Sequence, residues 1–220
     1  MAAHAGMRTT LEVLPGCTSL SGAEIEYLPE FMDIKLADTF LAKLCVKVRW
    51  HQPVIRIFSR EAQSPRLAAW YGDADAVYQY SGLLNEPLPW LEELTDLRGL
   101  IQQQLGHTPN SVLLNLYRDG NDSMGWHRDS EPELGKNPVI VSVSLGGTRR
   151  FLLRHVRRKD LPTLELRPTH GSLLLMRGQT QRYWRHAVPK TRQQVAPRLN
   201  LTFRRVDSEA RIHIHSGVSY

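Results

Sequence analysis

Length, composition and charge describe a basic globular chain. The 220 residues are 41% hydrophobic and carry a formal net charge of +6, which suits one large domain that attracts polyanions. Cys17 and Cys45 are too few for a disulfide framework, the first residues lack the apolar core of a secretory signal, and no apolar run reaches the about 18 residues of a membrane span. We therefore expect a monomeric cytoplasmic protein, nucleoid-associated in a bacterium, that does not enter membranes.

The first half of the chain predicts two helices and a short β segment. Residues 1–30 show little periodicity and are expected to form an N-terminal extension. A helix is predicted from Asp38, which can cap its first turn ahead of a one-sided apolar pattern. Residues 54–58 have the β-branched and aromatic character of a strand, and residues 59–66 have the polar composition of a loop. The clearest helix, at 89–105, has one apolar stripe and is expected to be scaffolding.

From Ser111 onwards the pattern changes to short strands separated by turns. The strands are predicted at residues 111–117, 139–145, 151–156, 164–167, 173–176, 183–188 and 199–206. Short strands at this spacing are typical of a sandwich or barrel, and helices ahead of a run of strands indicate an α+β domain with a jelly-roll-like β core. This domain is expected to span residues 31–206, followed by a C-terminal tail at 207–220.

His127 and Asp129 are the first candidate metal ligands. Side chains two residues apart point the same way in an extended backbone, and an imidazole beside a carboxylate is half of a site for a first-row transition metal. On its own, this tripeptide is weak evidence, because chance and ordinary loop hydrogen bonding explain most His-x-Asp sequences. His186, in a predicted strand near the C-terminus, is the preferred third ligand, because His170 lies in a turn and His155 lies among arginines. The three would form a 2-His-1-carboxylate triad, which leaves open positions for a co-substrate and O₂.

The last predicted strand places two arginines on one face. Arg198, Asn200, Thr202 and Arg204 alternate with apolar residues that would pack in the core. Arginine pairs well with carboxylates, and two arginines that face inward need an anionic partner because an unpaired buried charge is costly. A solvated arginine face is the alternative. Beside a metal triad, a dicarboxylate co-substrate that binds the metal at one end and an arginine at the other explains the pattern better.

These motifs resemble those of the AlkB family of Fe(II)/2-oxoglutarate dioxygenases. The family pattern is His-x-Asp, a distal His and Arg-x-Asn-x-Thr-x-Arg, in the order found here at 127–129, His186 and 198–204. Asn115 and Tyr117, ahead of the first motif, also match. The resemblance implies a double-stranded β-helix (jelly-roll) fold with the N-terminal helices packed against it, in agreement with the predicted series of strands.

The resemblance also implies a role for each matching residue. His127, Asp129 and His186 would hold Fe(II). The residues that would bind 2-oxoglutarate are Asn115, Tyr117, Arg198, Asn200 and Arg204. Of the two arginines, Arg198 is favoured for the distal carboxylate. The implied reaction uses O₂ and 2-oxoglutarate to hydroxylate a methyl group on a nucleobase, and it releases formaldehyde, succinate and CO₂ as the base is restored.

Within the family, the chain is most similar to members that repair alkylated DNA with lesions of the 1-methyladenine and 3-methylcytosine type. Residues 54–82 resemble their nucleotide-recognition segment, in which Tyr78 and Tyr80 would hold a flipped base by stacking. Glu131 matches an acidic residue that contacts the exocyclic amino group, and Phe58 stands where duplex-acting relatives have a hydrophobic wedge. The alternatives are a half-buried strand face for the tyrosines, a solvated carboxylate for Glu131 and a core position for Phe58.

Other interpretations of the charge and the chemistry stay open. A basic cluster at residues 149–159 predicts a phosphate-binding track, with a solvated charged loop as the alternative. The same iron chemistry could act on RNA, protein or a small molecule, and the scaffold could be a non-catalytic nucleic-acid-binding protein. A zinc hydrolase is disfavoured because it gives the strand with two arginines no role.

Overall fold

Two facing β-sheets form the frame of the protein. The computed structural model describes residues 10–57, 60–80 and 83–207, and only the backbone at 55–57, 60, 78–80 and 83–85. The seven-stranded sheet contains, in spatial order, β2 (Gly16–Leu20), β3 (Ala23–Leu28), β14 (Ser172–Arg177), β11 (Ile140–Gly146), β16 (Arg198–Arg204), β9 (Ser111–Tyr117) and β6 (Leu67–Gly72). The five-stranded sheet contains β1 (Thr10–Glu12), β13 (Thr163–Leu166), β12 (Phe151–His155), β15 (Trp184–Val188) and β10 (Met124–His127). Two separate hairpins pair β4 (Val54–Ile57) with β5 (Arg60–Gln63) and β7 (Tyr78–Tyr80) with β8 (Leu83–Asn85).

Two helices cover the outer face of the seven-stranded sheet. Helix α1 spans Ile34–Lys47 and helix α2 spans Glu92–Leu105, while the short helix α3 (Thr180–Tyr183) leads into β15. Phe40 of α1 and Leu97 of α2 are buried with the strand residues of one hydrophobic cluster. Burying a side chain of this size contributes roughly 1.5–3 kcal/mol, so α2 is scaffolding, as predicted. No helix among the described residues is long and apolar enough to cross a membrane.

Both long helices begin at other residues than predicted. Helix α1 starts after Asp33, whose extended backbone lets its side chain accept a hydrogen bond from the Leu36 N–H at 2.8 Å. Asp38 lies inside the helix, with its Oδ1 atom 3.3 Å from His170 Nε2, so the prediction that it caps the first turn is wrong. Either aspartate has the chemistry of a cap, and the choice depends on a backbone angle that composition does not reveal.

Two segments that were not expected to be β-structure form strands. Residues 10–28, expected as part of an extension, contribute to both sheets, because β1 pairs with β13 and β3 pairs with β14. Ala23, Ile25 and Tyr27 are buried and alternate with more exposed residues. This period of two spans only the six residues of β3, which is too short to stand out in the sequence. Residues 59–66, expected as a loop, contain β5, whose polar composition fits an exposed hairpin.

Strand β16 separates the core beneath the helices from the space between the sheets. Its apolar side chains belong to the cluster that α1 and α2 cover. Its polar side chains, Arg198, Asn200, Thr202 and Arg204, line a pocket between the sheets, as the alternation predicted. Asn200 lies opposite Ser144 of β11 and Asn115 of β9. The expected α+β fold, a jelly-roll core with helices packed against it, is confirmed.

Candidate active site

Strands β10 and β15 bring three potential metal ligands together between the sheets. His127 ends β10 directly opposite His186 of β15, and Asp129 follows just beyond β10. The ligand atoms of the three side chains all lie within 4.8 Å of one another. His186 Nε2 is 3.6 Å from Asp129 Oδ2, and the centroids of the two imidazole rings are 4.2 Å apart. The three predicted residues therefore converge with the composition of a 2-His-1-carboxylate iron site.

Neighbouring groups fix the orientation of two of these side chains. His127 Nδ1 lies 2.9 Å from the Gly125 carbonyl oxygen, to which it donates in the tautomer that leaves Nε2 as the ligand atom. Arg204 donates from NH2 to Asp129 Oδ1 at 2.5 Å. The backbone N–H of Asp129 donates to Gln181 Oε1 at 3.0 Å. These contacts hold the ligands in place without using the atoms that would face a metal.

The electrostatics favour the protonation states that a metal requires. Burial alone would raise the pKa of Asp129, but the positive charge of Arg204, together with the adjacent His186 and His127 side chains, outweighs it and holds that pKa below its usual range. Burial, together with the neighbouring His127, lowers the pKa of His186 to about 3. At neutral pH Asp129 is therefore ionised and His186 is neutral, as metal binding demands.

The two rival histidines lie in other surroundings. His170 Nδ1 accepts a hydrogen bond from the Gly146 N–H at 2.8 Å, at the end of β11. His155 is buried, and its Nδ1 accepts from the Arg158 N–H at 2.8 Å. Both have structural roles, which agrees with the choice of His186 as the third ligand.

A pocket with polar walls opens beside the three ligands. All five residues predicted to bind 2-oxoglutarate line it, namely Asn115, Tyr117, Arg198, Asn200 and Arg204. Leu113, Phe151 and Met176 supply apolar parts of the wall. The pocket therefore joins the candidate metal site to the polar face of β16.

Arg198 is a buried cation at the end of this pocket that lies away from Asp129, here called the Arg198 end. The residue is 1% exposed, and its NH2 donates to Ser144 Oγ at 2.8 Å and to Asn200 Oδ1 at 2.6 Å. Its Nε has no hydrogen-bond partner in the described part of the chain. Burial lowers the pKa of Arg198 to about 10, and the titratable groups that affect it are the Tyr117 phenol and the Arg149 guanidinium rather than a carboxylate. A buried guanidinium with a donor to spare suits an anionic ligand.

Buried residues that the sequence analysis did not single out also hold this site. Arg66 Nε donates to Asn115 Oδ1 at 2.8 Å, and Gln181 accepts the hydrogen bond from the Asp129 backbone. The one trace of Arg66 in the sequence is an arginine directly ahead of an apolar strand. Gln181 left none, because its contact is with a residue distant in the chain.

The structure describes less of the predicted substrate-binding residues than of the residues predicted to bind the metal and 2-oxoglutarate. Tyr78 and Tyr80 lie on β7, whose hairpin with β8 belongs to neither large sheet, and their side chains are outside the described part of the structure. Phe58 lies outside the described residues. Glu131 is half-buried ahead of a 3₁₀ turn at Pro132–Leu134, and among the described residues its Oε2 has no hydrogen-bond partner.

The basic residues at 149–159 do not form one continuous phosphate-binding surface in the structure. Arg149 is 3% exposed and donates three hydrogen bonds to backbone carbonyls, so the prediction is wrong for this residue. Arg150 and Arg158 already pair with carboxylates. Arg154 lies over the Trp126 ring, with its guanidinium carbon 3.9 Å from the ring centroid. The turn after β11 folds back into the protein, which a run of basic residues in the sequence does not reveal.

Known proteins place this fold and site in a class. A family model described as the 2OG-Fe(II) oxygenase superfamily matches residues 24–204. The human alpha-ketoglutarate-dependent dioxygenase alkB homolog 3 is 43% identical over 199 residues, which cover 83% of this chain and 66% of that protein. The DNA oxidative demethylase ALKBH2 of Arabidopsis thaliana is 33% identical over 214 residues, which cover 84% of this chain and 67% of that protein. The chain belongs to the AlkB family of this superfamily.

Two further comparisons bear on length and fold. The DNA oxidative demethylase ALKBH2 of Mus musculus is 40% identical over 158 residues, which cover 69% of this chain and 66% of that protein. The chain thus spans 66% of the length of both the human and the mouse relative. The solved structure of OsALKBH1 has a TM-score of 0.60 at 19% identity and covers 88% of this chain and 99% of its own, a likeness of fold. The family's cofactors are Fe(II) and 2-oxoglutarate with O₂, and the donor set and the unpartnered Arg198 Nε fit the metal and the dicarboxylate.

Proposed function

We propose that this protein oxidatively demethylates alkylated nucleobases in DNA, of the 1-methyladenine and 3-methylcytosine type. It would consume O₂ and 2-oxoglutarate and release formaldehyde, succinate and CO₂. The observation that carries the proposal is the convergence of His127, Asp129 and His186, within 4.8 Å of one another, beside a pocket with a buried guanidinium. The names of the relatives, a dioxygenase and a DNA oxidative demethylase, support the same chemistry.

The three converging side chains would hold the metal. Fe(II) bound by His127, Asp129 and His186 supplies, with O₂ and 2-oxoglutarate, the oxidising power of the reaction. The protein keeps these ligands in the required state, because Arg204 stabilises the ionised carboxylate of Asp129 and burial keeps His186 neutral. His127 is half-buried, so it would stand at the border between the metal and the incoming substrate.

Five pocket residues would bind 2-oxoglutarate. They are Asn115, Tyr117, Arg198, Asn200 and Arg204. Arg198 would pair with the distal carboxylate, since it is buried and its charged neighbours include no carboxylate. Arg204, bonded to Asp129, would line the keto-acid end beside the metal ligands. The spacing of the two arginines along β16 thus supports a co-substrate with an acid group at each end.

A methylated base would have to leave the stack of the nucleic acid before it could reach the pocket. The β7–β8 hairpin, outside both large sheets, carries Tyr78 and Tyr80, which would hold the flipped base against His127 by stacking. Glu131 would accept a hydrogen bond from the exocyclic amino group, and Phe58 would fill the gap in the stack. The net charge of +6 supports attraction to the phosphate backbone.

Product analysis tests the proposal. The protein is incubated with Fe(II), 2-oxoglutarate and oligonucleotides that carry 1-methyladenine or 3-methylcytosine, as single and double strands and as DNA and RNA. We expect formaldehyde and restored base from the methylated DNA, and neither product from unmodified DNA or from the His127→Ala variant. Succinate formation without restored base from any of the oligonucleotides would reject nucleobases as the substrate and leave an oxygenase of another substrate.

A further inference from the structure

Arg149 lies where two loop connections meet beside the pocket. It follows β11 in the turn towards β12, and its side chain is buried at 3% exposure. NH1 donates to the Asp119 carbonyl oxygen at 2.7 Å, and NH2 donates to the carbonyl oxygens of Asp122 and Pro189 at 2.9 and 2.7 Å. One guanidinium thus ties together backbone from two connections that are distant in sequence.

These connections join the strands that carry the site. The turn that contains Asp119 and Asp122 leads from β9, which ends at Tyr117, to β10, which ends at His127. Pro189 directly follows β15, the strand of His186. Hydrogen bonds from a charged donor are stronger than those between neutral groups, so Arg149 holds the ends of these strands firmly.

The same two connections also contact each other directly. The Thr191 N–H donates to the Gly120 carbonyl oxygen at 2.9 Å. A Cβ atom on Gly120 would lie 2.3 Å from the Thr191 carbonyl oxygen, so only glycine fits this approach. Arg149 therefore lies in a tightly packed junction and not in a solvated loop.

The charge of Arg149 reaches the Arg198 end of the pocket. Its guanidinium carbon is 5.8 Å from the centroid of the Tyr117 ring, and the guanidinium carbon of Arg198 is 5.6 Å from the same centroid. The nearest connection also carries the carboxylate of Asp122, but both oxygens of that carboxylate accept hydrogen bonds from Arg118. Two buried guanidinium groups therefore adjoin one phenol ring that lines the pocket.

We propose that Arg149 is a positioning residue for 2-oxoglutarate, which orients Tyr117 and adds positive charge to the Arg198 end of the pocket. It acts through Tyr117 and Arg198, since it is not among the side chains that line the pocket. The inference rests on the proposed function, because it takes the pocket to bind 2-oxoglutarate. The loop junction that contains Arg149 would then contribute to the preference of the pocket for a keto acid with a second carboxylate.

Binding measured without turnover tests this role. Titration calorimetry on the Mn(II)-loaded protein gives Kd for 2-oxoglutarate and for 2-oxobutanoate, a keto acid without the distal carboxylate. We expect Arg149→Met to weaken 2-oxoglutarate binding about tenfold or more and 2-oxobutanoate binding by less than about twofold. Arg149→Lys keeps the charge but loses the fork of donors, so it should fall between Arg149→Met and the wild type.

The matched control is Arg150→Met, which removes the exposed neighbouring arginine that pairs with Glu165. It should bind both keto acids as the wild type does. An equal loss for both keto acids, or none, in Arg149→Met would overturn the inference. If circular dichroism shows that Arg149→Met does not fold, Arg149→Lys decides by the same ratio of the two Kd values. A wild type that binds no 2-oxoglutarate would instead refute the proposed function.

Discussion

Replacing Arg198 with methionine should disable the pocket for 2-oxoglutarate while leaving the metal ligands intact. Methionine is unbranched and adaptable, so it can fill the space of the 1% exposed arginine without its charge. The guanidinium uses NH2 for Ser144 and Asn200, which leaves Nε among the donors for a ligand. A hydrogen bond to a charged group is worth about 1.5–3 kcal/mol, so losing a bidentate pair should cost about 3 kcal/mol or more, roughly a hundredfold in affinity.

Steady-state kinetics of succinate formation measure this loss. We expect KM for 2-oxoglutarate to rise roughly a hundredfold or more in Arg198→Met, with a smaller change in the affinity for a methylated oligonucleotide. Arg198→Lys should be intermediate, because an ammonium keeps the charge but does not pair in bidentate fashion. Arg150→Met is the control, because it also removes an arginine, but one whose side chain is 45% exposed.

A different result would refute the assignment of the distal carboxylate to Arg198. If KM for 2-oxoglutarate stays at the wild-type value in Arg198→Met and rises in Arg204→Met, the distal carboxylate binds at the other end of β16. Thermal melting of each variant separates this outcome from a general loss of folded protein.

Three further predictions concern the metal, the core and the acid stability. His127→Ala should abolish turnover and metal binding but leave oligonucleotide affinity within about twofold in a fluorescence-anisotropy titration, since phosphate contacts dominate affinity; unchanged turnover would overturn the metal assignment. Leu97→Ala should lower the free energy of unfolding in urea by about 2–5 kcal/mol, whereas Val46→Ala, at a position that is 85% exposed, should change it by less than about 0.5 kcal/mol. A hydrogen bond from Lys47 holds the pKa of Glu93 below its usual range. The ionised carboxylate therefore stabilises the folded protein above about pH 4.3, the pKa of glutamate in an unfolded chain. This stabilisation is lost as the pH falls through the lowered pKa. Glu93→Gln should therefore unfold more easily than wild type at neutral pH, and the difference should vanish in strong acid; a difference that persists there would contradict the assignment.

The strands and ligands that were predictable are those with a local pattern. β9 has the predicted bounds, Ser111–Tyr117, and β16 has the predicted alternation of polar and apolar faces, because a strand between two environments repeats with a period of two. His127 and Asp129 were recognisable from their spacing, and His186 from its place on a late strand. Each of these features depends on neighbours in the sequence.

The parts that were missed depend on partners far along the chain. Gln181 and Asp129 are 52 residues apart, and Arg66 and Asn115 are 49 residues apart, yet each pair shares a hydrogen bond. Arg149 lies in a run of basic residues. The composition of that run is the same whether the Arg149 side chain is solvated or buried, so the sequence does not distinguish the two. Periodicity identifies the face that a residue occupies, but it does not identify the partner across the sheet or the loop that packs on it.

The ratio of restored base to succinate formed tests the proposed demethylation most directly. Succinate and restored base are counted in the same reaction with the wild-type protein, Fe(II), 2-oxoglutarate and an oligonucleotide that carries one 1-methyladenine. We predict nearly one restored base for each succinate, with much slower succinate formation on the unmethylated oligonucleotide. Equal rates of succinate formation on the two oligonucleotides, without restored base, would contradict the proposal that the pocket serves nucleobase demethylation.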